Sequence, residues 1–274
     1  MTWRDYQQMQ KVVQIGDRFV SYVDRGEGAT VVLIHGIPTW GYMWEQQLAV
    51  LSETHRVLVP DLLGFGYSDK RDRFDRSIDR QAQMIDVWMD QLDIDSATIV
   101  AHDIGGGVAL RLATLVPSRV NRLCVMNTIC YDSWPIELML QLGHPDADRK
   151  MSAPAMQTML ATALKQGFAR APSEEILSGL LSPYRTEVGK LSLIRNAAAL
   201  NTNLTTEITE HLTKIRVPTL ILWGEEDKFQ LMKFGERLAD DIPESKLVRI
   251  QNARHFVMID QPAKVNAHLV DFCA

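Results

Sequence analysis

The stretch TIVAHDIGGGVALRLA, residues 98–113, contains the transition that decides the fold of this chain. A short apolar run leads into Asp103, and a segment rich in small and apolar residues follows at once, which predicts a strand, a sharp turn and a helix. Ala101 and Gly105 flank the turn, and both are small. A turn of this kind strains the backbone of its central residue and leaves no room for neighbouring side chains. The alternative interpretation is an aspartate that caps the following helix.

Similar apolar runs recur along the chain, separated by segments with helical spacing. They are VVLIHG at 31–36, HRVLVPDL at 55–62, RLCVMNT at 122–128, PTLILWG at 218–224 and KLVRIQ at 246–251. Continuous apolar strands that alternate with helices are typical of a parallel sheet covered on both faces. KVVQIG and RFVSYVDRG precede them and predict an antiparallel hairpin around Gly16 and Asp17. The sequence therefore predicts an α/β fold with a mostly parallel, doubly wound sheet, and helices at about 77–92, 104–116, 230–240 and 260–272.

The alternation breaks within residues 131–213, where Met, Leu and Ala recur at helical spacing and no strand pattern is visible. We expect a core domain made of residues 1–130 and 214–274, and an inserted helical cap at 131–213. An insertion at the carboxyl end of a parallel strand lies where α/β sheets bind ligands, so it can cover a pocket and exclude water. The alternative is additional helical mass without a role at a site.

The composition limits the possible partners. With 46% hydrophobic and 23% charged residues, the 274-residue chain has the profile of a protein that folds by itself. A net charge of -5 without a basic stripe makes nucleic acid an unexpected partner. No apolar run approaches the ~18 residues of a membrane span, and we expect no targeting segment. Three cysteines without CxxC spacing favour free thiols and a reducing cytoplasm. The sequence does not specify an oligomeric state.

Two further candidates for chemistry stand at later strand ends. Asp227 follows the strand in LILWGEEDKF, and His255 follows the last strand in NARHF. A nucleophile, an acid and a histidine in this order match the chain order of a catalytic triad built on such a sheet. Glu225 and Glu226 lie beside Asp227 and compete for the acid role. No clustered metal ligands and no glycine-rich nucleotide fingerprint are present, so we expect neither a metal nor a cofactor.

These segments resemble the haloalkane dehalogenase and epoxide hydrolase branch of the α/β-hydrolases, over nearly the whole chain except the cap. The resemblance is carried by HGIPTWGYMW from His35, DLLGFGYSDK from Asp61, AHDIGG from Ala101, MNT from Met126, LWGEEDK from Leu222 and HFVMIDQP from His255. It implies an α/β-hydrolase fold with Asp103 as the nucleophile. Asp227 becomes the acid because the family spacing is Gly-x-x-Asp, and Asn127 stands where many dehalogenases carry an acid instead. The resemblance also implies that the backbone N–H groups of Ile37 and Ile104 form the oxyanion hole.

A carboxylate nucleophile suits attack on an alkyl carbon because its reference pKa of ~3.9 leaves it ionised at neutral pH. Displacement of a halide or opening of an epoxide would leave Asp103 as an alkyl ester, which water activated by His255 would hydrolyse. The expected substrate is therefore a small apolar epoxide or organohalide, together with water. Two alternatives remain open. One is an ester or lactone hydrolase in which His255 activates water directly, and the other is a ligand-binding protein without catalysis.

The leaving group needs hydrogen-bond donors that the oxyanion residues do not supply. Dehalogenases carry side-chain donors at the positions of Ile37 and Ile104, and aliphatic side chains cannot replace them, which favours epoxides. Donors would then come from the cap. The candidates there are Trp134 and His144 for a halide, and Tyr131, Tyr184 and His144 for an epoxide oxygen.

Overall fold

One eight-stranded sheet organises the protein. The computed structural model describes residues 1–274. The strands are β1 (Lys11–Ile15), β2 (Arg18–Arg25), β3 (Thr30–Ile34), β4 (Arg56–Pro60), β5 (Ala97–His102), β6 (Val120–Met126), β7 (Thr219–Gly224) and β8 (Ser245–Ile250). They lie side by side in the order β1-β2-β4-β3-β5-β6-β7-β8. This arrangement confirms the predicted α/β fold.

The strand directions explain where a site can form. β1 and β2 make the predicted hairpin, and β2 also runs antiparallel to β4, whereas all neighbours from β4 to β8 are parallel. The chain leaves β3 on one side to form β4 and then returns on the other side to form β5. The carboxyl ends of β3 and β5 therefore flank a topological switch point, the place where open α/β sheets bind ligands.

Fourteen α-helices accompany the sheet. They are α1 (Trp3–Gln8), α2 (Glu45–Leu51), α3 (Ile78–Gln91), α4 (Ile104–Leu115), α5 (Glu137–Leu142), α6 (Ala147–Lys150), α7 (Ala153–Lys165), α8 (Glu174–Leu180), α9 (Glu187–Ala198), α10 (Asn203–Thr206), α11 (Thr209–Leu212), α12 (Met232–Asp241), α13 (Val257–Asp260) and α14 (Pro262–Cys273). α3 packs against α4, α2 packs against α14, and α12 packs against β7 and β8. The four helices predicted from periodicity correspond to α3, α4, α12 and α14.

The central strands are mostly buried, as continuous apolar runs predict. Every residue of β5 and of β7 is buried, whereas the edge strand β1 is largely exposed. No helix is both long and apolar enough to cross a membrane.

The region between β6 and β7 contains helices α5–α11 and no strand. α5, α6 and α7 all contact α9, so the helices of this insertion pack on one another. α9 also joins the insertion to the loop after β4, because Ser192 Oγ and Asn196 Nδ2 both donate to the carbonyl oxygen of Gly64, at 2.7 and 2.8 Å. The insertion follows the carboxyl end of β6 and therefore lies beside the switch point.

Candidate active site

Asp103 stands on the turn between β5 and α4 in a strained conformation, with φ of 53° and ψ of -123°. The turn is possible because its neighbours are small. A Cβ on Gly105 would lie 2.4 Å from the carbonyl oxygen of His35, and one on Gly36 would lie 2.5 Å from the Cβ of Asp103. Asp103 does not cap α4, since its side chain makes no capping hydrogen bond. The strain instead presents the carboxylate to the switch point.

The two oxygens of the Asp103 carboxylate have different surroundings. The backbone N–H of Ile37 donates to Oδ1 at 2.8 Å, and the N–H of Ile104 also donates to this carboxylate. Oδ2 lies 3.7 Å from Nε2 of His255. The predicted oxyanion donors are therefore placed on the carboxylate, and one oxygen is left facing the imidazole.

The His255 ring is oriented by the carboxylate of Asp227. Nδ1 of His255 donates to Oδ2 of Asp227 at 2.9 Å, and the same oxygen accepts a hydrogen bond from Asn127 Nδ2 at 2.7 Å. Neither neighbouring glutamate bonds to the ring; Glu226 pairs with Arg254 at 3.9 Å. Among the three candidate acids, the geometry thus selects Asp227.

Asn127 is a residue whose contribution sequence reasoning missed. Its Oδ1 accepts the N–H of Gly224 at 3.1 Å while its Nδ2 holds Asp227, and its own φ is 40°. The side chain therefore bridges the ends of β6 and β7. The available signal was its position at the end of a strand, where many dehalogenases carry an acid.

His102 is buried beside His255. Its Nε2 donates to the carbonyl oxygen of His255 at 2.9 Å, and the two ring centroids are 4.5 Å apart. Burial, followed by the nearby charge of His255, holds the pKa of His102 well below its ordinary value. It therefore packs as a neutral ring, as expected for a structural histidine.

The electrostatics of the pair Asp103 and His255 follow from burial and charge. Burial raises the pKa of Asp103, and it outweighs the charge of His255 and the two backbone donors, which lower it. Burial alone would lower the pKa of His255. The carboxylates of Asp227 and Asp103 overcome that effect and raise the pKa of His255 above its ordinary value.

A mostly apolar cavity opens above these residues, with about 560 Å³ of space free of protein atoms, its open side included. Thirteen of its eighteen lining residues are hydrophobic, and none is serine, threonine or tyrosine. The helical insertion and the segment before it supply much of the wall, including Trp134, Met139, Leu160 and Leu200. Core and insertion residues thus line one cavity that contains Asp103 and His255.

Three of the four candidate donors do not line this cavity. His144 has a side chain that is 60% exposed, on a different part of the surface. Tyr131 donates its hydroxyl to Asp241 at 2.6 Å, and Tyr184 is fully buried elsewhere in the core. Trp134 does line the cavity, but its indole N–H donates to Thr205 Oγ1 at 2.7 Å. Helical periodicity located these residues in the insertion and could not give the direction of each side chain.

Gln230 is the polar residue of the cavity that the sequence did not single out. It is 2% exposed, and its side-chain Oε1 has no hydrogen-bond partner in the protein. With Asp103 and His255 it completes the polar part of the lining. It lies in the loop between β7 and α12, three residues after Asp227.

Two named relatives are similar to this chain over most of its length. One is a cis-3-alkyl-4-alkyloxetan-2-one decarboxylase from Shewanella oneidensis, 27% identical, with 92% of this chain and 84% of the relative covered. Another is haloalkane dehalogenase 2 from Mycobacterium tuberculosis, 27% identical, with 92% of this chain and 90% of the relative covered.

Solved structures agree with the described architecture. An α/β hydrolase fold protein from Burkholderia ambifaria superposes with a TM-score of 0.91 at 27% identity, over 96% of this chain and 97% of that one. The haloalkane dehalogenase DbeA from Bradyrhizobium elkani superposes with a TM-score of 0.85 at 21% identity, over 96% and 97%, a likeness of fold. The family described as the alpha/beta hydrolase fold matches residues 29–262. With this match over most of its length, the chain belongs to the α/β-hydrolase family.

Proposed function

We propose that this protein is a hydrolase that displaces halide from small apolar organohalides through an alkyl ester on Asp103. The proposal is supported by the different surroundings of the two Asp103 carboxylate oxygens. Oδ1 accepts a backbone N–H, whereas Oδ2 faces His255 in an apolar cavity. In this proposal the helices within residues 131–213 act as the cap that keeps water from the site.

The first step is attack by Oδ2 of Asp103 on the alkyl carbon that bears the halogen. The bond between Oδ2 and carbon forms, the bond between carbon and halogen breaks, and halide leaves with the electron pair. Burial favours this step because a poorly solvated carboxylate is a stronger nucleophile than one in water. The product is a neutral ester whose carbonyl oxygen is Oδ1.

The second step is hydrolysis of that ester by water on Nε2 of His255. Water gives its proton to Nε2 and attacks Cγ of Asp103, and the developing charge on Oδ1 is stabilised by the N–H groups of Ile37 and Ile104. The bond between Cγ and the former Oδ2 then breaks, Nε2 gives its proton to that oxygen, and the alcohol leaves while Asp103 is restored as an acid. Ester formation has meanwhile removed the Asp103 charge, one of the causes that raise the pKa of His255, and this change favours the neutral form that acts as the base.

The cavity lining favours leaving groups that depart as stable anions. An opened epoxide leaves an alkoxide that must be protonated, and no hydroxyl side chain lines the cavity to do so. A halide needs no proton. We therefore propose an organohalide in place of the epoxide that the sequence analysis favoured.

A strained lactone is the second candidate substrate, and similarity to the Shewanella oneidensis decarboxylase favours it. Attack by Asp103 on the alkyl carbon of an oxetan-2-one would break the bond between carbon and ring oxygen and release a carboxylate, which also needs no proton. Loss of carbon dioxide could then expel the Asp103 carboxylate and form an alkene.

The test is a single turnover of a short 1-bromoalkane in heavy-oxygen water, with an equivalent epoxide and oxetan-2-one run beside it. We expect bromide release, an unlabelled alcohol, and the solvent label in the peptide that contains Asp103. An alcohol that carries the label after one turnover, with an unlabelled peptide, means that water attacks the substrate directly. Turnover of the epoxide or the lactone alone would reject the organohalide assignment.

The three cysteines are free and buried, in keeping with the reducing cytoplasm that we propose as its location.

A further inference from the structure

Almost every hydrogen-bond donor at the cavity already has a partner within the protein. The N–H groups of Ile37 and Ile104 hold the Asp103 carboxylate. The indole N–H of Trp134 is bonded to Thr205, and Nδ1 of His255 is bonded to the acid. A departing anion therefore cannot be received by any of these groups without breaking an existing bond.

Apart from Nε2 of His255, which serves as the base, the Gln230 side chain is the exception. It lines the cavity and is 2% exposed, its Nε2 donates no hydrogen bond within the protein, and its buried Oε1 accepts none. An amide placed among apolar walls without a hydrogen bond is unfavourable unless something else satisfies it. The N–H groups of this amide need an acceptor that the protein does not provide, and an anion in the cavity can supply it.

The loop that carries Gln230 is held in place from both sides. Trp223 Nε1 donates to the backbone carbonyl of Gln230 at 2.9 Å, and Oδ1 of Asp227 accepts the N–H of Phe229 at 2.7 Å. The Phe229 ring meets the His255 ring edge to face, with centroids 5.2 Å apart. The same short loop thus positions Asp227, the Phe229 ring that packs against His255, and the Gln230 amide. The fold therefore fixes the place of this amide at the cavity.

We propose that Gln230 is the residue that selects the leaving group, by donating an amide N–H to the anion as it departs. The inference rests on the proposed function and adds to it a location for the leaving group, on the loop after β7. A neutral amide on a flexible stem stabilises an anion less than a pair of rigid donors does. The site therefore favours bromide and iodide, which leave readily, over chloride, which depends more on the hydrogen bond.

The test compares 1-chloro-, 1-bromo- and 1-iodoalkanes of one chain length in the unchanged protein and in Gln230→Met. Met has a similar length and no donor, so we expect halide release in a single turnover to fall about 10- to 100-fold for chloride and less than about threefold for iodide. Inhibition by added bromide should weaken in the same variant. The matched control is Gln91→Met, the same substitution at an exposed glutamine that lies outside the cavity.

The outcomes separate the two proposals. A decrease by the same factor for all three halides, or no decrease, overturns the role of Gln230 and leaves the Asp103 chemistry intact. If the unchanged protein releases halide from none of them, the proposed function fails and the inference fails with it. If Gln230→Met does not fold, Gln230→Leu serves instead: it removes the donor without adding a charge, and the same order of losses among the three halides is expected.

Discussion

Replacement of His255 by glutamine should separate the two chemical steps, because only the second needs a base at Nε2. In the first step Nε2 lies 3.7 Å from Oδ2 of Asp103, beyond hydrogen-bond distance, so its loss should change the rate of ester formation by less than about tenfold. In the second step a general base contributes about 10²- to 10⁴-fold, equivalent to about 3 to 5 kcal/mol. Ester hydrolysis therefore becomes rate-limiting, and the ester accumulates.

The assay mixes His255→Gln with a short 1-bromoalkane and follows bromide release together with intact mass. We expect a burst approaching one bromide per protein and a mass increase of one alkyl group, mapped to the peptide that contains Asp103. Asp103→Ala should give neither signal. His144→Gln is the matched control, since His144 is exposed and lies outside the cavity, and it should turn over without accumulation.

The reasoning is refuted if the unchanged protein turns over but His255→Gln forms no adduct, because ester formation would then depend on the imidazole. An adduct on another residue would refute the nucleophile assignment specifically. Steady turnover by His255→Gln at the original rate would mean that the water is activated by a different group.

Three further predictions concern pH, the acid and the turn. Ester hydrolysis needs neutral His255, and the Asp103 charge that helps to raise its pKa is absent from the ester, so the rate of hydrolysis in stopped-flow measurements should rise with pH through a midpoint below the pKa of His255 in the free protein; ester formation needs only ionised Asp103 and should persist to lower pH. Asn127→Leu removes a donor from a buried carboxylate and the acceptor of a buried N–H, so the free energy of unfolding in urea should fall by about 3 kcal/mol. Gly105→Ala forces a Cβ to within 2.4 Å of a carbonyl oxygen and should cost about 3 kcal/mol or more, whereas Gly16→Ala, with open space and a φ of +58°, should cost about 1 kcal/mol.

The elements that position the site could be predicted because their signals are local. Asp103 follows a buried apolar strand and precedes small residues. In a parallel sheet this combination indicates a sharp turn from a strand into a helix. His255 and Asp227 follow the same rule at later strands. The carboxyl ends of parallel strands lie at the same edge of a sheet. Three positions that are distant in the sequence can therefore be predicted to lie close together without any information about the loops.

The polar lining of the cavity could not be predicted, because it depends on the direction of individual side chains. Tyr131 and Trp134 both lie just after β6 and both looked suitable, yet partners distant in sequence satisfy their donors, Asp241 for one and Thr205 for the other. Gln230 had no distinguishing pattern, since one glutamine in a loop is usually a solvated residue. Only the packing of that loop turns its amide inward.

The arrangement around Asp103 explains why aliphatic residues are acceptable beside this nucleophile. Ile37 and Ile104 act through backbone N–H, so their side chains are free to shape the cavity rather than donate hydrogen bonds. Gly36 has no such freedom, because any Cβ there would meet the Asp103 side chain at 2.5 Å. The backbone geometry of this site and its buried acid therefore tolerate little substitution. In the proposed mechanism the leaving group is selected elsewhere in the cavity, so a single change at Gln230 should alter the preferred substrate and leave the ester chemistry in place.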